Sequence, residues 1–479
     1  MLKEGRMEPV AMTSAGAVRG ASGNGIVRFL GIPFAAAPEG ELRFRPPVRA
    51  PGWDGVRDAL TFGAAPPQAA PAPGAPAQWQ PGDGLDCLTV NVWTPDPATT
   101  GLPVMVWIYG GLWKHGAARM PQYDAGTLAG SGVVVVTFNH RVGFEGFGHL
   151  PGTADNRGLR DQIAALEWVR DNIAAFGGDP ANVTVFGQSA GAASAVLLTA
   201  APAARGLFRR AIAQSVPSGI RTATEAAAVT ATIAAAAGIP ATREAFAALP
   251  PEAILAVQDE PLRGREGFTA FAPVLDGDLV TGPPWTALRS GSGRDTDLIC
   301  GFTHEEYRGQ GPLPPPGVDL AVVAEAVGLE KAAAHAYRRA CPGLSDADLF
   351  TVMLSDALIR MPTTWVAEAH ARAGGRTWLY DFAWRGTALG AAHGVDVPFV
   401  FGNATSRPAA RFLGSPPPAD FTDLSEHIRS SWTSFATTGD PGWPRFTPDH
   451  PTTRTWQTPP TDGPYPLSAL RTIWQHAEP

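Results

Sequence analysis

The sequence predicts an α/β protein with a mostly parallel central sheet and helices on both of its faces, and three stretches predict it. In "SGVVVVTFNHRVG" (131–143) the unbroken valines suit a strand buried on both sides of a parallel sheet. Next, in "NRGLRDQIAALEWVRDNIAAFGGDP", Ile163, Leu166, Val169, Ile173 and Phe176 recur at helical spacing before glycine and proline end the pattern. Then "VTVFGQSAGAASAVLLTA" (183–200) runs as a β-branched segment to Gly187, turns at Ser189 and continues in small residues suited to a helix packed closely on a sheet. Strand, helix, strand, sharp turn and helix make βαβ units, and ligands in such sheets bind at the carboxyl ends of the strands.

Composition bounds the rest. The 479 residues are 44% hydrophobic and 17% charged, which is globular, and the formal net charge of −7 excludes a basic nucleic-acid footprint. Cys87, Cys300 and Cys341 are far apart and lack metal-ligand spacing, so reduced thiols, a cytoplasmic location and no metal or cofactor are expected. The opening "MLKEGRMEPVAMTSAG" has no apolar leader run, and no later run reaches the ~18 apolar residues of a membrane span.

The elements follow in order. Residues 15–38 alternate short β-rich runs with glycines and predict a small N-terminal antiparallel sheet. Residues 65–84 are proline-rich and predict a loop. "LTVNVWTP" and "PVMVWIYGG" read as strands, as do "DLICGFT" (297–303) and "TWLYDFAW" (377–384) further on. The alanine-rich "ATEAAAVTATIAAAAGI" and "DLAVVAEAVGLEKAAAHAYRRA" read as helices. With no repeat and no long linker, residues 1–479 form one predicted domain carrying helical insertions around 220–260 and 318–372.

Gly187-Gln188-Ser189-Ala190-Gly191 is a G-x-S-x-G elbow, which presents a serine hydroxyl at the top of a sheet. In a chain this rich in glycine the pattern arises by chance roughly 0.2 times, so its strand-turn-helix context is what gives it weight. A nucleophilic serine needs a base, an orienting acid and oxyanion donors, and enzymes with such an elbow carry the partners in the order Ser, Asp or Glu, His. The loop after "DLICGF" supplies Glu305 and Glu306. The loop after "TWLYDFAW" supplies His393, which taken alone reads equally well as a surface-loop histidine. His115 and His140 precede the elbow and are demoted by that order; His304 stays a spare candidate.

These motifs, together with "FLGIPFAAAPEGELRFRPP", "NHRVGFEGF", "LFRRAIAQS", "FAPVLDG", "HGVDVPFVFG" and "WTSFATTGDPGWP", resemble the type B carboxylesterase family across almost the whole chain. The family includes para-nitrobenzyl esterases, liver esterases and cholinesterases. The resemblance implies an α/β-hydrolase fold and serine ester hydrolysis, with Ser189 as nucleophile, Glu306 as acid and His393 as base. It places oxyanion donors at Gly111 and Leu112 in "YGGL" and at Ala190, and pairs Arg141 with Asp161. Ser215 falls behind the base, and Glu305 is expected to be a solvated loop carboxylate.

Departures from the family set further expectations. The usual H-G-G-G turn is here Tyr109-Gly110-Gly111-Leu112, so the Leu112 side chain is expected beside the scissile carbonyl, narrowing the acyl side. Leu85 replaces the usual glutamate, which leaves Arg43 without its familiar partner, and no cysteine precedes Cys87 to bridge it. Val216 stands where glycine is common. Gly110, Trp113 and Trp79 are candidate pocket residues; Trp79 has the alternative of simple packing rather than a cation-π site. The expected substrate is an uncharged small to medium ester, and the expected state a monomer or weak homo-oligomer. A thioester, carbamate or natural-product ester hydrolase of the same mechanism, or a non-catalytic binding protein of the same fold, are the alternatives.

Overall fold

The computed structural model describes residues 8–71, 74–263, 270–310, 314, 316–475 and 477. The first seven residues and positions 72 and 73 of the proline-rich loop, both read above, lie outside them. Val10–Thr13 (β1), Gly16–Arg19 (β2) and Val56–Asp58 (β5) form a separate three-stranded sheet. Ala21–Gly23 (β3) and Ile26–Pro33 (β4) instead join the main sheet. The stretch 15–38 is thus divided between two sheets across the single residue Gly20, and the small sheet mixes one antiparallel pair with one parallel pair. Alternation shows strands but not which sheet receives them.

The main sheet adds Thr89–Thr94 (β6), Leu102–Ile108 (β7), Val134–Phe138 (β8), Gly178–Gln188 (β9), Arg210–Gln214 (β10), Asp297–Thr303 (β11), Thr377–Phe382 (β12), Thr452–Trp456 (β13) and Thr461–Pro464 (β14). Its order is β14-β13-β12-β11-β10-β9-β7-β8-β6-β4-β3. Every neighbouring pair from β8 to β13 is parallel, and the pairs at both ends are antiparallel.

Alternate residues of each central strand feed opposite cores, as the period of two requires. In β7, Val104, Val106 and Ile108 enter one core, and Met105 and Trp107 the other. The first core is covered by helices Arg157–Asn172, Ala190–Ala200 and Met361–Arg372. The second is covered by Val397–Phe401 and Phe421–Thr438, the latter through Leu424, Ile428, Trp432 and Phe435. Further helices occupy Ala223–Ala237 and the region from Leu320 to Arg372. Among the described residues no helix is long and apolar enough to cross a membrane.

Two buried ion pairs tie the segments preceding the elbow together. Arg141 Nη2 lies 2.6 Å from Asp161 Oδ1, and its Nε donates to Oδ2 at 2.8 Å. Arg43, without its familiar partner, meets Glu145 at 2.5 Å and also donates to Ala247 O at 3.2 Å. Removing one member of such a pair strands a charge in the interior, at a cost of about 3–5 kcal/mol. Arg141→Leu is therefore expected to lower the urea midpoint followed by tryptophan fluorescence, and an unchanged midpoint would contradict this role.

Candidate active site

The elbow is built by close approach. A Cβ on Gly191 would lie 2.0 Å from Ile108 O, so only glycine lets the helix Ala190–Ala200 start against β7. Ser189 sits between β9 and that helix at φ 57°, ψ −125°, a conformation costly for a serine and typical of a strained functional turn. Its N–H donates to Gln214 O at 2.8 Å, fixing the turn to the end of β10.

The loops after β11 and β12 bring the other two residues to the same sheet edge. Glu306 is buried; its Oε1 accepts the Thr303 N–H at 2.8 Å, and its Oε2 accepts from His393 Nδ1 at 2.5 Å. A carboxylate can only accept, so Nδ1 carries the proton and Nε2 of a neutral ring offers a lone pair toward the elbow. Burial opposes charging His393, but the Glu306 charge and the hydrogen bond to it outweigh burial and raise its pKa above the ordinary histidine value. Among the described residues Ser189 Oγ makes no hydrogen bond; His393 Nε2 instead lies 3.0 Å from the Gln188 side-chain nitrogen.

The "YGGL" turn faces the serine from the end of β7: a Cβ on Gly110 would lie 3.0 Å from Ser189 Cβ. The carbonyl of Gly111 accepts the N–H groups of Lys114 and His115 at 3.0 and 2.8 Å, which curls the turn. None of the N–H groups of Gly111, Leu112 and Ala190 is committed to an acceptor among the described residues. A base-acid pair set beside the elbow, with amides left without acceptors among the described residues, suits acyl transfer. A surface cavity of 630 Å³ lined by Phe62, Arg119, Met120 and Phe421 shares no residue with this cluster and holds no nucleophile-base pair.

Comparison with known proteins identifies the family. A model of the carboxylesterase family matches residues 7–313 and 344–467. The chain belongs to the carboxylesterase family. It is 36% identical to a para-nitrobenzyl esterase of Bacillus subtilis over 91% of this chain and 92% of that one. It is 35% identical to a phenmedipham hydrolase of Pseudarthrobacter oxydans, over 92% and 94%. A solved carboxylesterase of Geobacillus stearothermophilus superposes with a TM-score of 0.86 at 33% identity, covering 97% of this chain and all of that one. The protein is a carboxylesterase with the α/β-hydrolase fold.

Around the site of this carboxylesterase, several side chains lie where sequence reading did not put them. Glu305 is not a solvated carboxylate: its Oε2 accepts the Ala391 N–H at 3.1 Å and its Oε1 pairs with Arg308 at 2.7 Å, latching the acid loop to the histidine loop. Trp79 is buried with Ala65 and Ala117, and its indole N–H closes the proline-rich loop on Gly84 O at 2.9 Å. Trp113 is buried too, donating to Ser194 Oγ at 3.2 Å. Ser215 is buried at φ 65°, its N–H on Gly301 O at 2.7 Å, and Val216 N–H donates to Thr363 Oγ1 at 2.9 Å. Asp396, three residues after His393, is fully buried; Gln214 donates to its Oδ2 at 2.8 Å, and burial raises its pKa to about 6. His140 stacks on Tyr109 at 4.4 Å, and burial lowers its pKa to about 3, which removes it as a base. Gln188 and Asp396 were missed: the first is a variable letter inside the motif, and the second has a non-local partner.

Leu112 adopts φ 59°, and the residue is 49% exposed. The left-handed region costs a residue with a Cβ roughly 1–2 kcal/mol, against roughly 0.5–1 kcal/mol for the extra unfolded freedom of glycine. Leu112→Gly is therefore expected to leave the thermal midpoint unchanged or slightly higher. A clear fall in scanning fluorimetry would mean that the half-exposed side chain packs more tightly than its exposure indicates.

Proposed function

We propose that this carboxylesterase works by two-step acyl transfer through Ser189, His393 and Glu306. The observation that carries the reading is the part-buried 2.5 Å contact from Glu306 to His393 Nδ1, with the opposite ring nitrogen 3.0 Å from the elbow residue Gln188. His393 Nε2 takes the proton of Ser189 as Oγ attacks the ester carbonyl. The N–H groups of Gly111, Leu112 and Ala190 bind the oxygen that becomes negative, and Glu306 holds the imidazolium. His393 then protonates the departing alcohol. Water enters, gives its proton to the same nitrogen and attacks the acyl carbonyl; the carboxylic acid leaves as Oγ is reprotonated.

The substrate class follows from the residues of the turn and the elbow. Leu112 offers a half-exposed apolar side chain, and Gln188 a neutral amide where a carboxylate would attract cations. Trp79 is buried with Ala65 and Ala117, which argues against its ring receiving a quaternary ammonium. Uncharged esters of small to medium size fit this lining best.

A para-nitrophenyl ester chain-length series tests both parts. Wild type is expected to hydrolyse the short members and Ser189→Ala to lose acylation; equal activity in the variant would overturn the assignment. Leu112→Gly is expected to shift preference toward longer acyl chains, and an unchanged preference would remove Leu112 from the acyl side. Glu306→Gln should cost roughly 10³- to 10⁴-fold in kcat, as loss of the orienting acid does in other triads. It removes the charge that favours the imidazolium, so the surviving acid limb should move to lower pH. A limb that stays put would show that Glu306 does not set the pKa of His393.

A further inference from the structure

The amide of Gln188 lies on the one atom that the reaction needs free. Gln188 is the last residue of β9 and Gln214 the last of β10, and the two are direct partners in the parallel register. Each sends its side-chain N–H groups into the same turn: Gln188 to His393 Nε2 at 3.0 Å, Gln214 to Asp396 Oδ2 at 2.8 Å. Gln188 is buried, and Gly394 of the histidine turn lies beside it: a Cβ there would be in ordinary contact, 3.7 Å from its nitrogen. The amide thus lies between the elbow and the histidine turn.

The chemistry of this contact depends on the protonation state of the ring. With Nδ1–H given to Glu306, neutral His393 accepts the amide N–H at Nε2. Protonated His393 would set two donors against each other. The contact therefore favours the neutral ring and opposes Glu306, which favours the charged one. The other charged groups near the turn are Asp396, hydrogen-bonded by Gln214 and by Tyr380 at 3.3 Å, and Glu305, paired with Arg308 at 2.7 Å and Arg385 at 3.6 Å. Glu306 and Asp396 favour an imidazolium, Glu305 is held by its arginines, and among the described groups around the ring Gln188 alone presents a donor to Nε2.

We propose that Gln188 is a positioning residue that holds His393 Nε2 in the unprotonated, proton-accepting form in the resting enzyme and yields that nitrogen to Ser189 when substrate binds. The proposal rests on the triad reading above. It gives the amide in the elbow motif a definite role: the enzyme keeps its base neutral in the presence of the nearby carboxylates and so stays active at lower pH than it otherwise would.

The test is the pH dependence of kcat/KM for a short para-nitrophenyl ester in wild type, Gln188→Met and Gln188→Glu. Methionine keeps the side-chain length and removes the donor; glutamate puts a negative charge where the donor was. An opposite charge this close raises the pKa of a cationic group by about 1–3 units. The acid limb is expected to move up modestly in Gln188→Met and by about one pH unit or more in Gln188→Glu. A misplaced elbow would lower the rate at every pH without moving the limb. Superimposable limbs in three active proteins would overturn the proposal while leaving the triad intact. A wild type inactive on every ester would overturn the triad reading and this proposal with it.

Discussion

A carboxylate and an imidazole 2.5 Å apart, on loops leaving neighbouring parallel strands, hold only if the strands that carry them cannot slide. The register of β11 with β12 sets the relation of the Glu306 loop to the His393 loop, and the registers of β9 with β10 and β10 with β11 set both against Ser189. A slip of one residue would turn every side chain to the opposite core, so the two apolar faces lock the register that the site needs. The Glu305 bond to the Ala391 amide repeats the constraint outside the strands, loop to loop.

The elbow contributes a second constraint of a different kind. Its strain is held by covalent connection to a buried strand and a buried helix, and by the carbonyl of Gln214 on the Ser189 amide. Among the described residues the amides of Gly111, Leu112 and Ala190 have no acceptor, so the fold leaves backbone polarity unsatisfied in the turn and at the helix start next to the elbow. Such groups are tolerated because the site opens to water and ester oxygen. The buried ion pairs Arg141–Asp161 and Arg43–Glu145 brace the segments that lead into this arrangement.

Much of this was legible in the sequence because it is local. The run 297–303 is a strand with the same bounds in the structure, since seven consecutive buried residues leave no ambiguity about where it lies. The helix at 157–172 and the elbow carry equally local signals. What could not be read depends on distant partners. Arg43 finds Glu145, and Glu305 finds the Ala391 amide; neither pairing leaves a trace in spacing. The short strands Thr452–Trp456 and Thr461–Pro464 escaped for another reason, being polar strands at one end of the sheet with no alternation to follow. Gln188 was in plain view inside the motif, but its role depends on a histidine 205 positions away.

The central claim is that one serine becomes covalently acylated because one histidine removes its proton. Treating the protein with a fluorophosphonate and mapping the adduct by peptide mass spectrometry tests it most directly. A single adduct on Ser189, abolished in His393→Ala, is the expected result. An adduct on another residue, or labelling of Ser189 that persists undiminished without His393, would contradict the account.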